Sequence, residues 1–454
     1  MLIVIVFILG YTAITIEHTL KIDKLVPALL MMALAWAFVA FGLDTFTAWF
    51  DSHAHKLMDG FGLLNHEEKL HLMESTLLHH FGKTCEILIF LIGAMTIVEI
   101  IDHFDGFSTI KKYIKTDSKR KLLWIVAILA FILSAIIDNL TATIVLITIL
   151  RKLIPDNKSR IWYAGLIVVS ANAGGAWSPI GDVTTTMLWM GNRVTTIKLI
   201  EYLILPSLLC MLLPVIIANF LPAFKGKFEM PEEESEQNKM GPTMLYLGLI
   251  MIVFVPVFKT VTHLPPYVGM MLSLGVVAFV AEMISNRQFT MTSVTESAKN
   301  DIAHDSHASS PTMKALTKIE LPSILFFLGI LMTVAALESL GLVFQFGQDV
   351  QAVMDNKYFV LLLGVGSAII DNVPLVAASM GMFDMNVFPA DDHIWHFIAY
   401  AAGTGGSMLI IGSAAGVVAM GMEKISFFWY LKNISWLALA GYILGAIFFI
   451  AIYH

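Results

Sequence analysis

Ser134-Ala135-Ile136-Ile137-Asp138-Asn139 recurs letter for letter as Ser367-Ala368-Ile369-Ile370-Asp371-Asn372. Each copy sets one aspartate between two apolar runs: Leu122–Ile137 and Asn139–Leu150 around Asp138, Tyr358–Ile370 and Asn372–Phe383 around Asp371. The surrounding composition is that of a membrane protein. Of 454 residues, 57% are hydrophobic and 14% charged, whereas soluble domains carry about 25% charged residues. A run of about 12 residues rises only ~18 Å as a helix, short of a ~30 Å hydrocarbon core. Each pair is therefore one span with a buried acid, or a re-entrant hairpin with its tip inside the membrane. The flanks decide. Lys111, Lys112, Lys115, Lys119, Arg120 and Lys121 precede the first pair, and Arg151, Lys152, Lys158 and Arg160 follow it. Positive charge collects on the cytoplasmic side, so both ends belong to one face. The second pair is flanked alike by Asp349 and Asp355, then by Asp384, Asp391 and Asp392. The sequence predicts hairpins at 121–153 and 357–384, opening to opposite sides.

Outward from these, apolar segments predict ten crossings. They are 1–16, 24–43, 83–103, 160–190, 197–222, 241–258, 264–284, 318–340, 393–420 and 427–453. Met1–Ile16 has neither a basic start nor a small-residue cleavage site, so it reads as a crossing rather than a signal peptide. With this arrangement the outer loops hold seven of the 28 Lys and Arg residues: Lys56, Lys69, Lys83, Arg193, Lys198, Lys259 and Lys357. The remainder fall on the side of Lys111–Lys121, which puts both termini outside the cytoplasm. The polar stretches 223–240 and 285–317 read as cytoplasmic linkers. A net charge of −7 gives no reason to expect nucleic acid, and Cys85 and Cys210 imply neither a disulfide framework nor a metal site.

The repeat extends beyond the hexapeptide. Ile89-Phe90-Leu91-Ile92-Gly93 parallels Leu325-Phe326-Phe327-Leu328-Gly329, and Gly174-Gly175 with Ile180-Gly181 parallels Gly405-Gly406 with Ile411-Gly412. The offsets are 236, 233 and 231 residues, so spacing is nearly kept. The halves are 1–222 and 241–454. Each holds five crossings and one hairpin. Five is odd, so the second half starts on the opposite face and the repeats are inverted. The expected fold is an all-α polytopic membrane protein of two inverted-topology repeats, each with a re-entrant hairpin followed by a broken helix. Inverted repeats with discontinuous helices mark secondary transporters, with the site at the repeat interface.

Asp138 and Asp371 lead the chemistry, because a carboxylate at the bilayer centre costs at least ~2.5–3.5 kcal/mol. No Lys or Arg lies in the membrane core of any crossing drawn above, which speaks against a structural ion pair. Capping of helix ends at the hairpin tips is the plainer role for Asn139 and Asn372. The segment Ser170-Ala171-Asn172-Ala173-Gly174-Gly175-Ala176-Trp177-Ser178-Pro179-Ile180-Gly181-Asp182-Val183-Thr184-Thr185-Thr186 breaks its helix at glycine and proline. The break frees carbonyl oxygens beside Asn172, Asp182, Thr184 and Thr185. A glycine packing face between helices explains Gly174 and Gly175 but not the polar residues. The partner segment contains Thr404 and Ser407, with Ser413 where Asp182 would stand. The acids are thus three, two of them from the first half. Glu86, Glu99, Glu320 and Glu338 fall near helix ends and read as interfacial. His53, His55, His66, His71, His79 and His80 read as solvated histidines of an outer loop, 44–82. The run His66-Glu67 to His71 is one residue too widely spaced for a zinc-protease helix.

Asp138-Asn139-Leu140-Thr141-Ala142-Thr143, Asp371-Asn372-Val373-Pro374 and the Asn172 to Thr185 segment resemble the NhaD-type sodium/proton antiporters of the ion transporter superfamily. The resemblance covers roughly 1–454. It implies a homodimer held by a scaffold domain, an elevator-like movement, and a bacterial inner-membrane location. It also implies that Asp138, Asn139, Asn172, Asp182, Thr184, Thr185 and Asp371 serve ion exchange. With the repeat positions added, the candidate ion- and proton-binding set is Asp138, Asn139, Thr141, Asn172, Asp182, Thr184, Thr185, Asp371, Asn372, Thr404 and Ser407. Sodium is expected at Asp138, Asn139, Asp182 and Asp371. Na⁺, Li⁺ and H⁺ are the expected cargo, without a cofactor.

The rival on the same architecture is a dicarboxylate or other anion carrier. Dicarboxylate carriers of this superfamily resemble Ser-Asn-Thr at both tips, where helix N-termini attract carboxylates. Here both tips hold Asp in the Ser position, and a site of three acids without arginine repels anions. A channel would need a continuous pore, which hairpins from both sides interrupt. No nucleophile–base pair suggests an enzyme.

Overall fold

The computed structural model describes residues 2–15, 21–51, 56–58, 60–111, 114, 116–227, 239–293 and 310–453. Among them, eight helices are long and apolar enough to cross a membrane: Leu25–Thr45, His66–His103, Lys119–Ile137, Thr196–Ala218, Gly241–Thr262, Pro266–Ser285, Leu321–Ser339 and Ser435–Tyr453. Three of the ten expected crossings are not in that set. The first is a helix of only 14 residues, Leu2–Thr15, and 160–190 and 393–420 are each split in two. One expected hairpin arm joins it. Lys119–Ile137 runs 19 residues because Lys119, Arg120 and Lys121, all good helix formers, open the helix instead of preceding it.

The 121–153 hairpin is built from Lys119–Ile137 and Asn139–Leu153, with Asp138 between them. The 357–384 hairpin is Asn356–Gly366, a turn, and Asn372–Met382. Each hairpin's first arm packs along the helix that follows the hairpin. Lys119–Ile137 lies against Asn157–Gly175, and Asn356–Gly366 against His393–Gly405. Serine and glycine make both contacts close. Ser134 Oγ donates to Ala171 O at 2.6 Å, and Ser367 Oγ to Ala402 O at 2.8 Å. A Cβ on Gly174 would overlap the carbonyl of Phe131, and one on Gly405 the carbonyl of Gly364. Both helices then break. Asn157–Gly175 resumes as Val183–Met190, and His393–Gly405 as Ala414–Glu423. Side chains restart the second pieces: Asp182 accepts from the Thr184 N–H, and Ser413 from the Gly416 N–H.

Outside this centre, Leu25–Gly42 lies against Leu321–Ser339, Pro266–Ser293 against His66–His103, and Thr196–Ala218 against Ser435–Tyr453. Within the 44–82 stretch, residues 66–82 are helix rather than loop. An Asn65–Glu68 capping box, with side chain and backbone bonded reciprocally, starts the helix at His66. That arrangement satisfies two free N–H groups at once, and the helix runs 38 residues to His103. His66, His71, His79 and His80 therefore stand on a helix, while His53 and His55 lie outside the described residues. An antiparallel pair of two-residue strands, Phe50–Asp51 and Lys56–Leu57, is the exception to an all-helical fold among the described residues. Within the two expected linkers, 228–238 and 294–309 lie outside the described residues. Lys227 Nζ meets Asp117 Oδ2 at 2.6 Å, and a helix Pro311–Lys318 precedes Leu321–Ser339.

Candidate functional site

Both hairpin tips and the break in Asn157–Met190 face one cavity of about 80 Å³. Asp138, Asn139, Thr141, Asp182, Asp371 and Asn372 line it, together with Thr186, Ser323, Lys24 and apolar side chains. The three acids share the cavity without meeting at a point: among the described residues no three His, Cys, Asp or Glu side chains converge as a metal-binding group.

Asp138 is held in an unusual backbone conformation, φ 101° and ψ 159°, a region nearly reserved for glycine that costs of order 1–3 kcal/mol. Local bonds offset the cost. Oδ1 accepts from the Thr141 N–H and Oδ2 from the Thr141 hydroxyl, both at 2.8 Å. Asp371, at φ −48°, caps its helix without strain, taking the Val373 N–H on Oδ1 at 3.3 Å. The two aspartates match in sequence but not in backbone.

The tip asparagines do more than cap. Asn372 Nδ2 donates to Asp182 Oδ2 at 2.9 Å. Asn139 Nδ2 donates to Asn172 Oδ1 at 3.1 Å, and Asn172 Nδ2 donates onward to Ser413 Oγ at 3.0 Å. Each tip thus reaches the broken helix of the other half, the first through Asn172 and the second directly. At the position matching Asn172 stands Gly403, whose absent side chain would lie beside Asp182 Oδ2. All five of these polar residues are at least nine-tenths buried. Burial of a carboxylate or amide demands such partners.

The break supplies fewer free carbonyls than its sequence suggests. Thr185 Oγ1 donates to Asp182 O at 2.9 Å, and Thr186 Oγ1 to both Pro179 O and Asp182 O at 2.9 Å. Thr184 is buried, with its N–H 3.5 Å from Asp182 Oδ1. Thr404 and Ser407 do not line the cavity: their hydroxyls donate to Tyr400 O at 2.6 Å and Thr404 O at 2.7 Å. They tie turns of their own segment.

Lys24 departs from the sequence reading. Lys24 Nζ lies 3.4 Å from Asp371 Oδ2, so a site acid does face a cation. Lys24 stands just before the helix Leu25–Gly42, at the very edge of an apolar run, where the sequence gives no sign that it turns inward. Beside Thr186 and Ser323, Ser413 also lies outside the expected set. Its alignment with Asp182 in the repeat is the signal that marks it.

Comparison with known proteins agrees with this architecture. Residues 5–395 match the citrate transporter family. Sodium/proton antiporter 1 of Arabidopsis thaliana is 39% identical over 99% of this chain and 72% of its own length. The Na⁺/H⁺ antiporter NhaD of Vibrio cholerae is 27% identical over 99% of this chain and 91% of its own. That of Halomonas elongata is 30% identical, with 93% and 82% covered. Among solved structures, the YdaH transporter of Alcanivorax borkumensis superposes with a TM-score of 0.57, at 13% identity, over 93% of this chain and 97% of that one. That likeness concerns the fold.

Proposed function

Because the chain belongs to the citrate transporter family, as an NhaD-type sodium/proton antiporter, we propose that it exchanges cytoplasmic Na⁺, and Li⁺, for external H⁺ at the cavity between its hairpin tips. The observation that carries this reading is the charge of the lining. Asp138, Asp182 and Asp371 face the cavity, and among the described residues Lys24 is the one cation in its lining. Such a wall attracts cations and repels carboxylates. The oxygens of Asn139, Thr141 and Asn372 provide hard, neutral ligands beside the acids. A proton and a sodium ion neutralise the same carboxylates, so binding of one disfavours the other, which is the coupling an antiporter needs.

The paired packing supports two inverted repeats, 1–222 and 241–454. Hairpin arm against following helix, and tip against opposite broken helix, occur once in each half. On this reading 121–153 and 357–384 enter the membrane from opposite faces, and the centre moves as one body against the remaining helices, in a homodimer. The multi-pass chain sits in a bacterial inner membrane with both termini outside, an orientation supported by its uneven Lys and Arg.

Everted vesicles carrying the protein, assayed by acridine-orange dequenching with Na⁺, Li⁺ and K⁺, test the proposal. Dequenching by Na⁺ and Li⁺ across neutral and alkaline pH is expected. Its absence, with uptake of labelled citrate or succinate in its place, would put the chain among the anion carriers.

A further inference from the structure

We propose that Lys24 is a tethered cation that competes with sodium for Asp371. The inference rests on the antiport reading and adds to it the means by which the empty site is neutralised. Asp371 divides its carboxylate between two tasks: Oδ1 caps Val373, and Oδ2 faces the ammonium of Lys24 at 3.4 Å. The other two acids are held by uncharged donors, Asp138 by Thr141 and Asp182 by Asn372 and Thr184. The ammonium is also 4.5 Å from the centre of the Phe326 ring, whose face attracts a cation.

Three features make the contact replaceable rather than structural. At 3.4 Å it is longer than the ~2.7–2.9 Å of a tight charge-assisted bond. The Lys24 and Asp371 side chains keep 26% and 16% of their exposure, and both line the cavity. Lys24 also sits at a helix N-terminus, where the helix dipole disfavours positive charge, so its helix does not hold the ammonium there. On the proposed movement, the partners come from different bodies. Lys24 precedes the helix packed on Leu321–Ser339, and Asp371 belongs to the hairpin. A movement between those bodies parts the pair without breaking either element. Sodium and the ammonium carry the same charge and cannot both occupy one carboxylate oxygen. Departure of sodium lets Lys24 return, so Asp371 is not left as a bare charge.

Equilibrium binding of ²²Na⁺ to the purified full-length protein at fixed pH is the test. Lys24→Gln removes the competitor and should tighten the sodium Kd by about two- to fivefold, the size a partly exposed ion pair allows. Lys24→Arg, which keeps the charge, should leave Kd at or above the wild-type value. In an Asp371→Asn background, whatever binding remains should not respond to Lys24→Gln. A gain in affinity is not what structural damage produces. An unchanged or weakened Kd in Lys24→Gln overturns the proposal, as does an equal gain in the Asp371→Asn background. Wild-type protein that neither binds ²²Na⁺ nor exchanges it overturns the antiport reading instead.

Discussion

Asn372 Nδ2 donates to Asp182 Oδ2 at 2.9 Å, fastening the second hairpin tip to the break in the first half's helix. The bond joins residues 190 positions apart, and it leaves Asp182 Oδ1 beside the Thr184 N–H. Replacing Asn372 by Ala strips a buried carboxylate oxygen of its amide donor, a loss of about 1–3 kcal/mol. The detergent-solubilised melting temperature should fall and exchange should drop. Unchanged values in both would show that Asp182 is satisfied without Asn372.

Asp182→Ser copies Ser413 and makes the two halves alike. One formal charge leaves the cavity, so exchange should vanish or the apparent KM for Na⁺ should rise about tenfold, equivalent to about 1.4 kcal/mol of lost attraction. Sodium kinetics in everted vesicles decide this. An unaltered KM would place Asp182 outside the ion's path.

Asp138→Asn and Asp371→Asn separate charge from capping. An asparagine still caps a helix and matches aspartate in size, so both variants should insert and fold. Both should lose exchange. Near-normal exchange in both would reduce the tip acids to structural caps.

A buried ion cluster ties the two halves at another point. The Glu423 carboxylate, fully buried, accepts from Arg151 Nε at 2.8 Å, Arg160 Nε at 2.9 Å and Asn157 Nδ2 at 2.8 Å. Removing one partner of a buried pair costs about 3–5 kcal/mol. Glu423→Ala should therefore lower thermal stability sharply. Arg160→Ala should cost more than Arg151→Ala, because Arg160 is 14% exposed and Arg151 44%. Melting of the purified variants gives the order, and equal losses would contradict it.

Gly174→Ala and Gly405→Ala test the close approach of each hairpin arm to its neighbour. A Cβ at either position meets backbone carbonyl, which cannot swing aside, and such overpacking costs about 1–3 kcal/mol. Gly82→Ala, with open space around it inside a long helix, should be neutral or stabilising. Folded yield in detergent should separate the first two from the third.

Much of this arrangement is written in the chain. Apolar runs fix the helices because lipid leaves the backbone no other partner. The recurrence of Ser-Ala-Ile-Ile-Asp-Asn marks both tips, and Gly-Gly with Pro179 marks the break, since each acts through its own backbone. The offsets between repeats likewise single out Asp182 and Ser413 as counterparts. What the chain alone leaves open depends on partners distant in sequence. That Asn372 reaches Asp182 directly while Asn139 needs Asn172 follows from a glycine at 403. That the Thr404 and Ser407 hydroxyls turn back to the carbonyls of Tyr400 and Thr404, away from the cavity, follows from local hydrogen bonding a motif does not reveal. Lys24 shows the limit most clearly. Its place at the edge of a hydrophobic run says it lies near a helix end, but whether its flexible stem points to water or to Asp371, 347 residues away, is decided by how the helices pack.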